Sequence, residues 1–508
     1  MFSSINSFGL VGISCYPVSV EVDVSRAFPC FEIVGLPDAA VKESKDRVRS
    51  AMKNCGIDFP DSRVVVNLAP ANLKKSGPYY DLPILVGILC SLGQLESVPE
   101  QVGLIGELSL DGKVRPVKGV LSMVSQAREQ GLSSVIIPLE NAAEGAVFPD
   151  MEVYAAGSVP EVLAHLRGEQ ALPLAGSLPS VPELEPEYLD FADVRGQQLA
   201  KRAVEVAAAG GHNILLLGSP GSGKSMIAKR IPSILPDLSF EEAIETTKIH
   251  SIAGLLPPGL SLLRRRPFRA PHHTVSAAGL SGGGSSPRPG EISLAHNGVL
   301  FLDELPEFSR AAMEVLRQPM ENDSVTISRA GGSVTYPSRF MVAAAMNPCP
   351  CGYYGHPERD CTCSPSTVSR YLGRVSGPLL DRLDIQVEVA PVRYSDLTSR
   401  QKEESSAEIR RRITAARALQ LRRLAPYGVT DNARIPAAAL AALCPMTPAA
   451  NRILELAFQR LNLSGRAYDR ILKIARTIAD LAGCEEIDAP HITEAIQYRS
   501  LDRKYWGK

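Results

Sequence analysis

The sequence predicts a multidomain protein of mixed class, with an α+β N-terminal domain, an α/β domain and an all-α C-terminal domain. Three observations support this fold class. The chain has 508 residues, roughly three domains at about 150 residues each. A glycine-rich loop near residue 218 follows an apolar run, as at a strand-to-helix turn. Residues 171–190, rich in proline and glutamate, separate two parts of unlike composition and are predicted to form an extended linker.

The composition excludes several classes of protein. Hydrophobic residues make up 45% of the chain and charged residues 21%, so the chain can bury cores and is not disordered as a whole. The longest apolar stretches, such as Ile84–Cys90, are too short to span a bilayer. The first residues do not resemble a secretory signal. The ten cysteines do not look like a disulfide scaffold, and we expect a cytoplasmic protein with no membrane partner.

The net charge of −1 is an average over unlike parts of the chain. Residues 1–170 carry −6 and residues 171–190 carry −4, whereas residues 191–508 carry +9. A polyanionic partner is therefore expected to bind the basic part.

The N-terminal domain, residues 1–170, shows an α+β pattern. Val64–Val66 and Ser134–Ile137 are typical of strands, and Asp38–Lys53 has helical spacing. A further strand is predicted where four valines alternate with polar residues, namely Val18, Val20, Val22 and Val24.

Residues 191–395 form the predicted α/β domain and residues 396–508 the all-α domain. Within the latter, Glu403–Ala425 is a long helix candidate that Pro426 would stop. One apolar helix face is predicted at Ile471, Ile474, Ala475, Ile478 and Leu481.

Residues 218–225 match the pattern G-x-x-x-x-G-K-[ST] of a phosphate-binding loop. Ile214–Leu217 predicts a buried strand before the loop, and Met226–Ile231 predicts a helix after it. In this setting Lys224 would contact the β- and γ-phosphates of ATP, and the Ser225 hydroxyl would bind Mg²⁺. The predicted nucleotide-binding residues are Gly218, Ser219, Pro220, Gly221, Ser222, Gly223, Lys224 and Ser225.

Two further apolar runs end in polar residues. Val299–Leu302 is followed by Asp303, which would hold Mg²⁺, and by Glu304, which would polarise the attacking water. The third run, Phe340–Met346, ends in Asn347, either a turn former or a sensor of the γ-phosphate.

Long motifs at residues 266–273 (RPFRAPHH), 287–304 and 346–352 (MNPCPCG) resemble the magnesium-chelatase-like AAA+ ATPases and, within them, the ComM/YifB family. The resemblance implies an AAA+ core with a helix-2 insert and a C-terminal helical lid. It also implies that Asn347 is sensor 1, that Arg382 is an arginine finger for a neighbouring subunit's ATP, and that Arg466 is sensor 2, in cis or in trans. A homo-hexamer is the family expectation.

The N-terminal domain resembles the proteolytic domain of Lon at Lys75–Pro78 and Gly106–Val114. Lon-type proteases use a Ser–Lys dyad. The resemblance places the two dyad positions at Tyr79 and Leu121, so it implies a Lon-like fold without peptidase activity.

Four of the ten cysteines lie within fifteen residues. Their thiolates could bind a structural Zn²⁺ tetrahedrally, with His356 as a spare ligand; alternatively, they are merely reduced cysteines. They are Cys349, Cys351, Cys361 and Cys363.

Two segments are candidates for contact with DNA. A predicted hairpin, Val325–Tyr336, carries Arg329 near its turn, and in relatives this hairpin points into the ring pore. The other is a basic run in the expected insert, with an aromatic ring available for base stacking. Its members are Arg264, Arg265, Arg266, Phe268 and Arg269.

The first functional hypothesis is an ATP-driven hexameric motor that migrates branches in DNA, branched or single-stranded. The resemblance implies a role in integrating incoming DNA during transformation, with recombination proteins as candidate partners. The alternative is a magnesium-chelatase-like ATPase that remodels a protein partner. A third hypothesis is a binding module whose ATPase is only a switch. The presence of both Asp303 and Glu304 argues against it.

Overall fold

A computed structural model describes residues 2–178, 189–284, 287–329, 332–392, 394, 396, 403–461 and 463–507 of the chain. The fold divides into two compact units. The first contains Met1–Glu185 together with Phe240–Leu263, and the second contains Pro186–Ser239 together with Arg264–Lys508. Within the described residues, we find no helix whose length and apolar character would allow it to cross a membrane.

Residues 2–178 contain nine strands and six α-helices. The strands are β1 (Phe2–Val11), β2 (Ser14–Ser25), β3 (Cys30–Val34), β4 (Arg63–Ala69), β5 (Val102–Leu104), β6 (Glu107–Leu108), β7 (Val114–Arg115), β8 (Ser134–Pro138) and β9 (Glu152–Ala156). The helices are α1 (Ala39–Lys42), α2 (Ser44–Asn54), α3 (Asp81–Ser91), α4 (Val120–Glu129), α5 (Ala142–Gly145) and α6 (Val159–Leu166).

Seven of these strands form one mixed sheet in the order β3-β4-β2-β1-β5-β8-β9. The predicted valine strand is confirmed as β2, where Val18, Val20 and Val22 are buried because they share one face. Helix α3, apolar on all sides, packs on β1 and β2. The approach is close: a Cβ on Gly87 would lie 2.7 Å from Val22 Cγ2.

The remaining described residues contain nine strands and sixteen α-helices. The strands are β10 (Ile214–Leu217), β11 (Phe268–Arg269), β12 (Gly282–Gly283), β13 (Arg288–Pro289), β14 (Val299–Leu302), β15 (Ser324–Arg329), β16 (Gly332–Pro337), β17 (Met341–Met346) and β18 (Ile385–Glu388). The helices are α7 (Gln198–Gly210), α8 (Lys224–Ala228), α9 (Ile231–Ile234), α10 (Phe240–Ala253), α11 (Ala277–Ser281), α12 (Glu291–Leu294), α13 (Arg310–Val315), α14 (Pro319–Asn322), α15 (Pro365–Leu372), α16 (Gly377–Leu380), α17 (Ser406–Leu424), α18 (Leu440–Leu443), α19 (Pro448–Leu461), α20 (Gly465–Leu481), α21 (Ala489–Gln497) and α22 (Leu501–Trp506).

The second unit is built on a parallel five-stranded sheet with the order β11-β14-β17-β10-β18. Its central strands are buried on both faces, which explains the continuous apolar runs in the sequence. The predicted apolar face of α20 is confirmed, since Ile471, Ile474 and Ile478 pack into the same core as the sheet residue Ile214. The C-terminal helices therefore share one core with the parallel sheet.

Helix α10 belongs to the first unit although it lies in the second half of the chain. It packs on α4, where the buried Ser251 hydroxyl donates to Glu144 and accepts from the Gly119 N–H at 2.8 Å. Leu121 N–H also donates to Glu144, at 2.9 Å. Burial raises the pKa of Glu144, an effect that these donors oppose. This buried network fixes α10 to the first unit.

The unit boundaries differ from the predicted domains. The first unit is not continuous, because residues 240–263 of the expected α/β domain belong to it. Of the predicted linker, residues 179–188 lie outside the described residues. Its first part instead extends the N-terminal fold, since Leu172 and Ala175 are buried and Ala155 N–H donates to Pro173 O at 3.0 Å.

Candidate nucleotide-binding site

The site lies where three parallel strands end. Strand β10 pairs with β17 so that Leu217 is opposite Met346, and β17 pairs in turn with β14. The residues that follow these strands therefore reach the same edge of the sheet, where ligands bind in open α/β folds. They are the glycine-rich loop, Asn347 and Asp303.

The loop turns sharply into α8. Gly221 and Gly223 have φ angles of 76° and 95°, and α8 begins at Lys224. The Lys224 ammonium lies inside the loop, donating to Gly218 O at 2.8 Å, to Ser219 O at 2.9 Å and to Asn347 Oδ1 at 3.0 Å. Lys224 and Asn347, more than a hundred residues apart in the chain, are thus in direct contact.

Burial lowers the pKa of Lys224, and the nearby carboxylates of Asp303 and Glu304 oppose this shift. The two carboxylates therefore offset only part of the cost of burying the charged ammonium. A polyphosphate placed at the loop would supply further negative charge and stabilise the protonated lysine.

The carboxylates lie beside the start of α8. The Ser225 hydroxyl donates to Asp303 Oδ2 at 2.7 Å, so both predicted Mg²⁺ ligands are adjacent. Glu304 has a left-handed backbone with φ 53°, and its carboxylate lies 3.4 Å from His273 Nδ1. The sequence had assigned no role to His273, although it ends one of the long motifs. The contact places His273 beside Glu304 in the site.

A cavity of about 670 Å³ opens beside the loop. One wall is the loop itself with the following helix, and another is the segment 193–197. A third wall comes from residues between the cysteine pairs: Tyr353, His356, Glu358 and Arg359.

The predicted arginine finger, Arg382, and the predicted sensor 2, Arg466, both belong to the second unit. The Arg382 guanidinium donates to Pro378 O at 2.6 Å and to the Glu321 carboxylate. Arg466 is exposed in the first turn of α20. Neither residue lines the cavity.

The four cysteines predicted to bind metal come together. Their sulfur atoms all lie within 4.8 Å of one another, and Cys349 is buried. His356, considered as a spare ligand, is not in this group; it lines the cavity, and its Nδ1 accepts from the Glu358 N–H at 3.1 Å.

Some residues of the basic run at 264–269 make contacts within the fold, and others are exposed or half-buried. Arg266 donates to the carbonyls of Pro236 and Asn297, each at 2.9 Å, and Arg269 forms a two-point ion pair with Glu291 at 2.7 and 2.8 Å. Phe268 lies in β11 and stacks on Phe301.

Three of the predicted DNA-binding residues, Arg266, Phe268 and Arg269, therefore make contacts within the second unit. Arg264 is exposed and Arg265 is half-buried. The hairpin prediction is confirmed as β15–β16, with Val325 and Ile327 buried on one face. The side chain of Arg329, at the end of β15, lies outside the description.

In the first unit, the two positions of the Lon dyad belong to an apolar environment. Tyr79 packs against the cluster that contains the buried Leu121. Lys75, near the predicted nucleophile position, is buried, and its ammonium donates to the carbonyls of Leu73 and Pro70.

The loop, the paired strands and the acidic residues after β14 define a P-loop nucleotide-binding fold. Comparison with known proteins gives the same class. Residues 190–397 match the family described as magnesium chelatase, subunit ChlI, residues 403–499 match the C-terminal family of that subunit, and residues 20–141 match a third ChlI family.

Similarity to two individual relatives extends over 97% of the chain. The chain is 43% identical to the competence protein ComM of Haemophilus influenzae over 503 residues, covering 97% of this chain and 96% of that protein. It is 43% identical to the YifB protein of Salmonella typhimurium over 498 residues, with the same coverage. Lon protease 2 of Bacillus subtilis is 29% identical over 100 residues, 20% of this chain and 18% of that protein. The chain belongs to the ComM/YifB family of magnesium-chelatase-like ATPases.

Proposed function

We propose that this protein is an ATP-driven hexameric AAA+ motor that acts on DNA. Its activity would be the migration of branches during homologous recombination, in the integration of incoming DNA during natural transformation. The observation that carries the proposal is the meeting of Lys224, Ser225, Asp303 and Asn347 at one edge of the sheet. The similarity to a protein named for competence supports DNA as the partner.

The chain's own residues fit ATP and Mg²⁺, which the family implies. The loop N–H groups and Lys224 would bind the phosphates, and Ser225 and Asp303 would hold the metal. Bound Mg²⁺ supplies positive charge against the phosphates. Glu304, oriented by His273, would accept a proton from the attacking water, and Asn347 would position the γ-phosphate.

The arginine finger would come from a neighbouring subunit. Arg382 would reach the γ-phosphate of the adjacent chain in a ring, as the family resemblance implies. Arg466 would serve as sensor 2. In the second unit, the exposed Arg264 and the β15–β16 hairpin with Arg329 are the proposed DNA contacts.

Branched DNA is expected to stimulate ATP hydrolysis and to be migrated only with ATP. Replacing Lys224 by alanine should abolish both effects, because the buried ammonium is the main cation that faces the phosphates. A four-way junction assay at stated salt, with wild type and Lys224→Ala side by side, measures this. Purified protein that binds no DNA, and shows no stimulation even at low salt, would refute the motor hypothesis.

The second candidate is an ATPase that remodels a protein, and the matches to magnesium chelatase subunits favour it. ATPase activity that a protein partner stimulates, and that branched DNA leaves unchanged, would support this candidate instead.

A further inference from the structure

The segment from Cys349 to Cys363, here called the cysteine loop, starts two residues after Asn347. Its first cysteine therefore sits close to the end of β17, beside the residue that contacts Lys224. The loop returns to the fold at α15, which begins at Pro365. Both ends are thus tied to regular structure of the second unit.

The middle of the cysteine loop forms a wall of the nucleotide cavity. Tyr353, His356, Glu358 and Arg359 line the cavity together with the glycine-rich loop. Contact between the two loops is direct at Gly352, which has φ 85°. A Cβ on Gly352 would lie 2.3 Å from Pro220 Cδ, so only glycine fits this approach.

The side chains of this wall contact one another. The Arg359 guanidinium lies 4.6 Å from the centre of the Tyr353 ring and donates to the Tyr353 hydroxyl at 2.6 Å. The His356 ring meets the Tyr353 ring edge-on, with centres 5.6 Å apart. Aromatic rings and a planar cation are groups that bind a nucleobase by stacking and a ribose by hydrogen bonding. The opposite wall already offers backbone N–H groups for the phosphates.

The four thiols fit one tetrahedral metal ion. The Cys349 sulfur lies 3.3 Å from that of Cys351 and 3.6 Å from that of Cys361, and the Cys351 and Cys361 sulfurs are 3.6 Å apart. Four ligands at about 2.3 Å from Zn²⁺ would be separated by about 3.8 Å, close to these values. Cys349 also accepts the Tyr354 N–H at 3.3 Å, which orients its sulfur at the base of the wall.

We propose that the cysteine loop is the nucleoside-binding wall of the ATP site, that Arg359, Tyr353 and His356 contact the base and ribose, and that Zn²⁺ on the four cysteines holds this wall in place. Metal content thereby sets nucleotide affinity. The inference rests on the proposed ATPase function and adds a metal-dependent positioning device to it.

The test compares the full-length wild type with two variants, Arg359→Ala and the double variant Cys361→Ser, Cys363→Ser. Zinc per chain is measured by atomic absorption, and the Kd for ADP by calorimetry. Wild type and Arg359→Ala should carry about one Zn²⁺, and the double variant below about 0.2. Both variants should bind ADP about tenfold more weakly than the wild type.

Inorganic triphosphate separates the nucleoside from the phosphates. Its stabilisation of the protein against thermal unfolding should be the same in wild type and Arg359→Ala, because the phosphate loop is unchanged. Matched controls are Cys484→Ser and Arg370→Ala, two exposed residues outside the cavity lining, whose Kd for ADP should stay at the wild-type value.

Three results would overturn the proposal: a wild type without zinc, a zinc-free double variant with unchanged Kd, or an Arg359→Ala variant with unchanged Kd. If the double variant does not fold, the Kd of Arg359→Ala decides. Failure of the motor hypothesis can be told apart from failure of this proposal, because the motor is tested with DNA and the cysteine loop with ADP. A protein that ignores DNA can still show the shift in ADP affinity.

Discussion

The proposed arginine finger, Arg382, would have to exchange its partners on assembly. In the single chain its side chain is 13% exposed, and its guanidinium donates to Pro378 O and to the Glu321 carboxylate. A guanidinium offers fixed donors to the charge that spreads over a transferring phosphoryl group. Assembly into a ring would exchange Glu321 for the neighbour's nucleotide.

Replacing Arg382 by alanine is expected to leave ATP binding intact and to lower turnover by about 10³, as for other arginine fingers. Calorimetric ATP binding and steady-state hydrolysis measure the two quantities separately. The exposed Arg370, changed to alanine, is the matched control. Turnover that stays within a few fold of wild type in Arg382→Ala would place the finger at another residue.

At the scale of elements, the β15–β16 hairpin combines a buried face with a polar one. Val325 and Ile327 are buried, while Thr326 faces Thr335 with their hydroxyls 3.0 Å apart. The strand register runs from the pair of Ser324 and Pro337 to the pair of Arg329 and Gly332. In the proposed motor, this hairpin would bring Arg329 to the DNA.

Changing Arg329 to alanine should therefore reduce the stimulation of ATPase activity by DNA but leave hydrolysis without DNA unchanged. The reason is that Arg329 is proposed to contact DNA, whereas hydrolysis without DNA depends on the P-loop residues. Hydrolysis measured across a DNA titration checks this, with Arg452→Ala, an exposed arginine on α19, as the control. Equal stimulation in wild type and Arg329→Ala would remove the hairpin from the DNA path.

Elements with a clear apolar pattern, either periodic or continuous, were predictable from the sequence. Very short strands and irregular segments were not. The buried strands before the glycine-rich loop and Asn347 lie as predicted, because continuous apolar runs mark a parallel sheet. Strand β11 has only two residues, too few for any period, so Phe268 was expected to face DNA instead of Phe301. The cavity wall at Tyr353 and Arg359 escaped prediction because irregular backbone has no sequence period.

For the whole molecule, the proposed ring makes one site from two chains. Subunits with Lys224→Ala would lack turnover but still offer Arg382, whereas Arg382→Ala subunits would keep the P-loop but offer no finger. Each kind is expected to be nearly inactive alone. Mixed rings would contain interfaces where an intact P-loop faces an intact finger.

Mixing the two inactive variants should consequently restore ATP hydrolysis, which is measured at constant total protein over a range of ratios. Wild type mixed with Lys224→Ala shows whether subunits exchange. If exchange occurs and the mixture of Arg382→Ala with Lys224→Ala stays inactive, Arg382 does not act between subunits.

Helix α10 gives the chain an unusual topology. The first unit is completed by a segment encoded after the glycine-rich loop, and Ser251 joins the buried Glu144 network. During synthesis the N-terminal residues therefore cannot finish their fold until the ribosome has passed residue 263. A protease that cuts the chain between residues 179 and 188 would likewise leave α10 covalently attached to the second unit. Because the first unit is made of two segments of the chain with part of the second unit between them, no single break in the polypeptide can release the first unit complete.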